Sequence, residues 1–204
     1  MFGFIKHRLA GAFLAASLAV GTAPASAAPV IGFDVAGAPA SSATATVSGG
    51  VCILCSITTT LDAGLDAQVF ALAEGESRTF DFFDITIGGL FALATVDVSA
   101  TLAFAFPASV AVTGNGSGGF GTLFGVLSGG TLTWNDLPTT VTLANGSAFS
   151  VDFSDVSAFG LGNTATVTAT VTAVTVAVPE PASLALLGAG LLGLVRRRKG
   201  IPAT

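Results

Sequence analysis

Few side chains between residues 28 and 178 could carry chemistry. The chain contains two cysteines, one histidine and no tyrosine, and its histidine, His7, lies near the N-terminus. Lysine occurs only at positions 6 and 199. A Ser-His-Asp or Cys-His site needs a base beside its nucleophile, so this central part of the sequence excludes both kinds of site. Cys52, Cys55 and the carboxylates remain as candidates.

Aspartates occur in three close pairs. The pairs are Asp62 and Asp66, Asp81 and Asp84, and Asp152 and Asp155. Two carboxyl groups about 5 to 9 Å apart are enough to hydrolyse a glycosidic bond, so a secreted glycosidase is one alternative function. A calcium-dependent adhesion module is another, although the sequence has no Asp-rich calcium loop. We expect instead that these acids are surface charges, with no catalytic residue and no cofactor or metal.

Cys52 and Cys55 form the remaining local motif. In an extended strand, residues three apart are about 10 Å from each other, whereas a disulfide needs Cα atoms within about 7 Å. The chain must therefore turn between the two cysteines if they pair. An oxidising compartment favours the disulfide, with buried reduced thiols or a redox pair as alternatives. A zinc site would have only these thiolates and carboxylates as ligands.

The C-terminal stretch consists of a proline motif, an apolar run and a basic tail. These are Val178-Pro179-Glu180-Pro181, the uncharged residues 182–195, and Arg196-Arg197-Arg198-Lys199. As a helix the 14-residue run would be about 21 Å long against a hydrocarbon core of about 30 Å, which is marginal for a permanent span. Its apolar residues surround the helix, which disfavours a core helix with one polar face. The cations would stop transfer and stay cytoplasmic.

In this order the three parts resemble the PEP-CTERM sorting signal of Gram-negative bacteria. The resemblance covers roughly Val178 to Lys199, and Gly200 to Thr204 extend beyond it. It implies that an exosortase, a membrane-embedded transpeptidase, recognises Pro179-Glu180-Pro181 and removes the helix and tail from an inner-membrane intermediate. It also implies a destination at the cell surface or in the extracellular matrix of bacteria that form biofilms and make exopolysaccharide.

The N-terminus has the three parts of a secretory signal peptide. They are Lys6-His7-Arg8, the apolar segment Leu9 to Val20, and the A-x-A site Ala25-Ser26-Ala27. We predict that signal peptidase cuts between Ala27 and Ala28, with Ala23-Pro24-Ala25 as the competing frame. An uncleaved anchor is disfavoured because the run is too short to span a membrane comfortably.

The part that folds is thus predicted to be residues 28–177, here called the body, between a signal peptide (1–27) and a sorting segment (178–204). Its length of about 150 residues suits one domain. Arg78 is its single cation against eleven carboxylates, which gives a net charge of −10. Nucleic-acid binding depends on cations that neutralise phosphates, so we expect no nucleic-acid partner. Anionic membrane surfaces are disfavoured for the same reason.

Alternation of apolar and polar residues predicts an all-β body. The clearest strand is Leu90 to Phe106, in which the even-numbered residues from Val96 to Phe106 would lie on the core face. Its length predicts a bend near Leu93 or a split, and Pro107 would end it. A phase shift predicts a bulge near Phe82.

Turn signals complete the fold prediction. Asn145-Gly146 predicts a hairpin with a type I′ turn, and Gly114 to Gly119 a flexible loop. The last strand, Thr164 to Val178, would run straight into Pro179. Eight to ten strands without a fixed repeat favour an antiparallel β-sandwich, or a jelly-roll-like variant of it, flanked by a signal helix and a transmembrane sorting helix.

The sequence therefore predicts an exported, acidic, non-enzymatic protein of the cell surface or extracellular matrix. Its processing partners would be signal peptidase and exosortase, and exopolysaccharide is a candidate partner of the body. Aromatic residues could form a sugar-stacking platform, but in a sandwich we expect them in the core. They are Phe120, Phe124 and Trp134.

Overall fold

The computed structural model describes residues 28–88, 91–123, 126–156 and 164–178. These residues form eleven β-strands and one 3-10 turn, and all strand pairs are antiparallel. The prediction of an all-β antiparallel fold is confirmed. The predicted signal helix (1–27) and sorting helix lie outside the described residues. Within those residues, no helix is long and apolar enough to cross a membrane.

The strands are divided between two sheets. The first sheet contains β1 (Val30–Ala36), β2 (Ser42–Ile53), β4 (Val69–Ala73), β6 (Phe91–Phe106), β7 (Val110–Leu123) and β8 (Val126–Trp134). The second contains β3 (Ser56–Leu61), β5 (Ser77–Gly88), β9 (Thr139–Thr142), β10 (Ala148–Phe153) and β11 (Thr164–Thr175). The first has the order β4-β1-β6-β7-β8, with β2 also paired to β6, and the second the order β3-β5-β11-β10-β9. The 3-10 turn, Leu65–Ala67, precedes β4.

The inner faces of the two sheets share one hydrophobic core. Phe149 of the second sheet packs edge-on against Phe33 and Phe104 of the first, with ring centroids 5.1 and 5.4 Å apart. All three side chains are buried. These side chains meet in the core because apolar and polar residues alternate along the strands, and alternate residues of a strand point to the same face.

Strand β6 organises the first sheet, because β1, β2 and β7 all pair with it. Its even-numbered residues from Val96 to Phe104 are buried, as predicted, and Ala94 is buried as well. The strand ends before Pro107 and is not split; a register shift lies instead in its partner β2, between Val47 and Gly49.

Phe106 was predicted to face the core and is instead 55% exposed. Strand β1 pairs Asp34 with Phe106 and Val35 with Phe104, so Ala105 is left without an opposite residue. This bulge turns Phe106 to the outer face that it shares with Asp34.

The predicted bulge near Phe82 is confirmed. Strand β11 pairs Val167 with Phe83 and Thr168 with Asp81, so Phe82 has no opposite residue. Phe82 and Phe83 are both fully buried as a result. The bulge therefore adds one large side chain to the core without breaking the sheet.

The segment Gly114 to Gly119 was predicted to be a flexible loop, and this is wrong, because it lies inside β7. An added Cβ at Gly114 would approach the Phe153 ring to 3.1 Å, and one at Gly116 would approach the Trp134 ring to 3.0 Å. The missing side chains leave room for these two rings. Glycine serves close packing here and not chain flexibility.

Two neighbouring glycines of β7 provide a test of this packing. We expect Gly118→Ala to lower the free energy of unfolding by about 1 to 3 kcal/mol, because its Cβ would collide with the carbonyl oxygen of Thr131. Gly119→Ala is the matched control, since its Cβ would lie 3.6 Å from the Ala94 oxygen, an ordinary contact. Denaturant titration of both variants measures the difference, and equal stability would contradict the close approach of β8 to β7.

The hairpin predicted around Asn145-Gly146 is confirmed, with β9 paired to β10. Its turn is not type I′, which needs a positive φ at both central residues. Only Gly146 has a positive φ, 86°, and its N–H donates to the carbonyl of Leu143. The tight turn therefore spans Leu143 to Gly146, and the Asn145 side chain accepts a hydrogen bond from the Ser147 N–H at 3.0 Å.

Candidate functional site

The two cysteines lie where the chain passes from the first sheet to the second. Cys52 belongs to the end of β2, and Cys55 immediately precedes β3. A disulfide joins them, with their Cα atoms 5.5 Å apart. The required turn is made at Leu54, which has a φ of 54° and is 82% exposed. A left-handed leucine is unfavourable by about 1 to 2 kcal/mol, so the bridge holds a turn that the local sequence does not favour.

A double Cys52→Ser, Cys55→Ser variant is expected to fold and to melt a few degrees lower. The disulfide closes a very short loop, so it constrains the unfolded chain less than the roughly 3 kcal/mol of a 15-residue loop. At this size 1 kcal/mol corresponds to about 2 to 4 °C. Reductant should lower the melting temperature of the unmodified protein and leave the variant unchanged. Two reactive thiols in the unfolded, unreduced protein would contradict the assignment.

Several aspartates hold loops in place. Asp62 accepts the Gly64 N–H at 2.8 Å, and Asp155 accepts the Trp134 N–H at 3.1 Å. Asp66 binds the N–H of Gly37, which fixes the loop after β1 to the 3-10 turn. These carboxylates stabilise backbone that the ladders leave without partners.

The remaining members of the pairs, Asp81, Asp84 and Asp152, lie in strands opposite threonines and not opposite each other. Asp84 accepts the Thr166 hydroxyl at 2.6 Å. Asp81 and Asp152 lie on opposite sides of β11, opposite Thr168 and Thr170, so they are about 9.6 Å apart across the sheet and further displaced by two residues along it. Among the described residues, no three of His, Cys, Asp and Glu come close enough together to hold a metal ion.

The aromatic residues considered as a sugar platform are mainly in the core. Phe120 is buried, and Trp134 is half-buried with its ring 5.1 Å from Phe153 and its indole N–H on the Ser154 carbonyl at 3.1 Å. The third residue, Phe124, lies outside the described residues. Trp134 therefore packs against the second sheet, and the two residues do not form an exposed stacking surface.

The body holds the chain up to the residue before the proline motif. Beyond β11, the N–H of Val176 donates to Glu74 at 3.3 Å and that of Ala177 to Ser147 at 3.0 Å. Val176 is buried and Val178 is exposed. The residues of the motif from Pro179 to Pro181, and the cations at 196–199, lie outside the described residues.

Glu74 and Ser147 were not among the residues singled out from the sequence. Glu74 lies 102 positions before its partner, and Ser147 lies 30 positions before its own. No local pattern marks such distant pairs. Their effect is that the proline motif begins within two residues of the last hydrogen bond to the body.

The two ends of the described chain lie together. Pro29 and Val30 line a groove of about 310 Å³ with Phe106, Val176 and Ala177. The residue that follows the predicted signal-peptidase cut is therefore close to the residue that precedes the proline motif. The chain thus combines a folded acidic β body, whose two exits lie on one side, with an apolar, basic-tailed extension in the sequence that follows the second exit.

Comparison with known proteins identifies the extension. Residues 177–199 match the family described as the PEP-CTERM protein-sorting motif. The chain carries this signal, which confirms the sequence-based resemblance and indicates export, membrane-associated sorting and processing by an exosortase. No curated protein and no solved structure matches the chain.

Proposed function

We propose that the protein is a non-enzymatic component of the cell surface or extracellular matrix of a Gram-negative bacterium, associated with exopolysaccharide. The observation that carries the proposal is the sorting motif at residues 177–199, which continues without a long linker from a folded strand. In this interpretation the motif delivers the body, a β-sandwich over residues 28–177, as the final product. The signal peptide at 1–27 is removed on export.

The hydrogen bonds that the carboxylates accept support a role without catalysis. A glycosidase needs two converging carboxyl groups, one of which donates a proton. Here Asp62, Asp66 and Asp155 bind backbone N–H groups, and Asp84 binds a threonine hydroxyl. None of these contacts brings two carboxylates to a common centre.

The many hydroxyl groups on the outer face of the second sheet support contact with a polysaccharide. On the outer face of the second sheet, threonine and serine hydroxyls of β5 and β11 meet in cross-strand pairs at 2.8 to 3.1 Å. The pairs are Ser77 with Thr172, Thr79 with Thr170, and Thr86 with Thr164. Each hydroxyl both donates and accepts, so such a surface suits a polyhydroxyl polymer.

The test is made on protein recovered from the native host. Intact-mass analysis is expected to find a form that begins at Ala28 and lacks the basic tail, in the surface or matrix fraction. Incubated with the host's exopolysaccharide, this form should cosediment with the polymer and release no oligosaccharide. If the envelope contained full-length chains and no processed form, the predicted processing would be wrong. If the protein released oligosaccharide and Asp152→Asn abolished that release, the glycosidase would be established instead.

A further inference from the structure

The body has two unlike ends, set by the direction of β6. At one end, Phe106 lies beside Val30, Val176 and Ala177, and Val178 follows Ala177 directly in the chain; we call this the terminal end. At the other end, β6 begins opposite Ile53, next to the disulfide. Both exits of the described chain are at the terminal end.

The terminal end carries an exposed apolar patch. Its members are Val30, Phe106 and Val178, which are 56%, 55% and 67% exposed. An added Cβ at Gly32 would lie 3.1 Å from the Phe106 ring, so the ring rests on the outer face of β1 beside Val30. The bulge at Ala105 is what turns this ring outward. Exposed apolar residues also lie at the disulfide end of β6, so the position of the sorting segment decides between the two ends.

The short connection to the sorting segment limits how far the terminal end can be from the membrane. Ala177 is held by Ser147, and the apolar run begins at Leu184, seven residues later. A fully extended chain of that length spans at most about 25 Å. When residues 184–195 are in lipid, the terminal end is therefore within that distance of the bilayer surface, whereas the other end of β6 is not constrained in this way.

We propose that the terminal end of the body lies against the lipid surface while the C-terminal segment holds the chain in the membrane, with Val30, Phe106 and Val178 in the interfacial layer. The inference rests on the sorting function proposed above. Apolar and aromatic side chains gain free energy in that layer. Because the body has a net charge of −10, the contact suits neutral and not anionic headgroups.

Two tryptophan probes on the same strand test the orientation. Phe106→Trp labels the terminal end, and Leu93→Trp is the matched control, since Leu93 is 71% exposed and 13 residues away, or about 43 Å along β6. The full-length chain is reconstituted in phosphatidylcholine vesicles with or without bromine on the acyl chains. The signal of Trp134, measured on the unmodified chain, is subtracted. Circular dichroism and melting temperature establish that each variant is folded.

We expect brominated lipid to quench most of the added fluorescence at position 106 and none at position 93. Val30→Trp is a second probe of the terminal end and should behave like position 106. Equal quenching at 93 and 106, quenching at 93 alone, or no quenching at either would overturn the orientation. Normal processing of the same chains in the host would show that the sorting proposal stands even if the orientation fails.

Discussion

A chain in which Pro179 and Pro181 are both replaced by alanine is expected to fold normally and to stay in the inner membrane. Proline fixes its own φ and pushes the preceding residue into an extended conformation, so we expect the motif to present a stiff extended segment to the exosortase. Alanine, the best helix former, removes this restraint and allows the apolar helix to grow back toward Ala177. Fractionation and intact-mass analysis of host cells measure the result: a full-length sorting tail in the inner-membrane fraction and little processed protein.

The control for this experiment is Pro202→Ala, which changes a proline beyond the basic cluster. It should be processed like the unmodified chain. Both variants should melt at the same temperature, because all three prolines lie outside residues 28–177. Normal surface release of the double variant would mean that the apolar helix and the four cations suffice for sorting.

The largest effect on stability is expected from Phe149→Ala. Phe149 is fully buried and contacts Phe33 and Phe104 of the opposite sheet, so its removal leaves a cavity between the sheets. Such truncations cost about 3 to 5 kcal/mol. At about 2 to 4 °C per kcal/mol for a domain of this size, the melting temperature should fall by on the order of 10 °C.

Phe106→Ala is the matched control for the core variant. The same side chain is removed from a position that is 55% exposed, where surface substitutions change stability by about 0.5 kcal/mol. Thermal unfolding followed by circular dichroism compares the two. Similar losses in both variants would contradict the assignment of Phe149 to the shared core.

The disulfide and the lipid-facing patch concern different ends of the body, and their effects should be separable. Loss of the Cys52–Cys55 bridge acts on the crossover between the sheets, about the full length of β6 from the terminal end. It should therefore lower the melting temperature without changing sorting. Changes at Phe106 should affect the membrane contact with little effect on stability.

The sequence alone determined the features that depend on local pattern. The sorting signal was identified because its proline motif, apolar run and cations are contiguous. The all-β class, the buried face of β6 and the bulge at Phe82 followed from period-2 alternation and its phase shift, which depend only on where successive side chains point. The hairpin at Asn145-Gly146 followed from a local turn signal, although its turn type was wrong.

Only the tertiary structure decided the features that depend on which strands meet. The glycine-rich segment 114–119 looked like a loop because no local pattern reveals that the rings of Phe153 and Trp134 fill the space beside Gly114 and Gly116. Phe106 faces outward because β1 skips Ala105, a register choice made by a strand about 70 residues earlier. The same long-range pairing joins the two exits of the body at one end, since strand register and sheet packing are set by contacts between distant segments and not by neighbours in the chain.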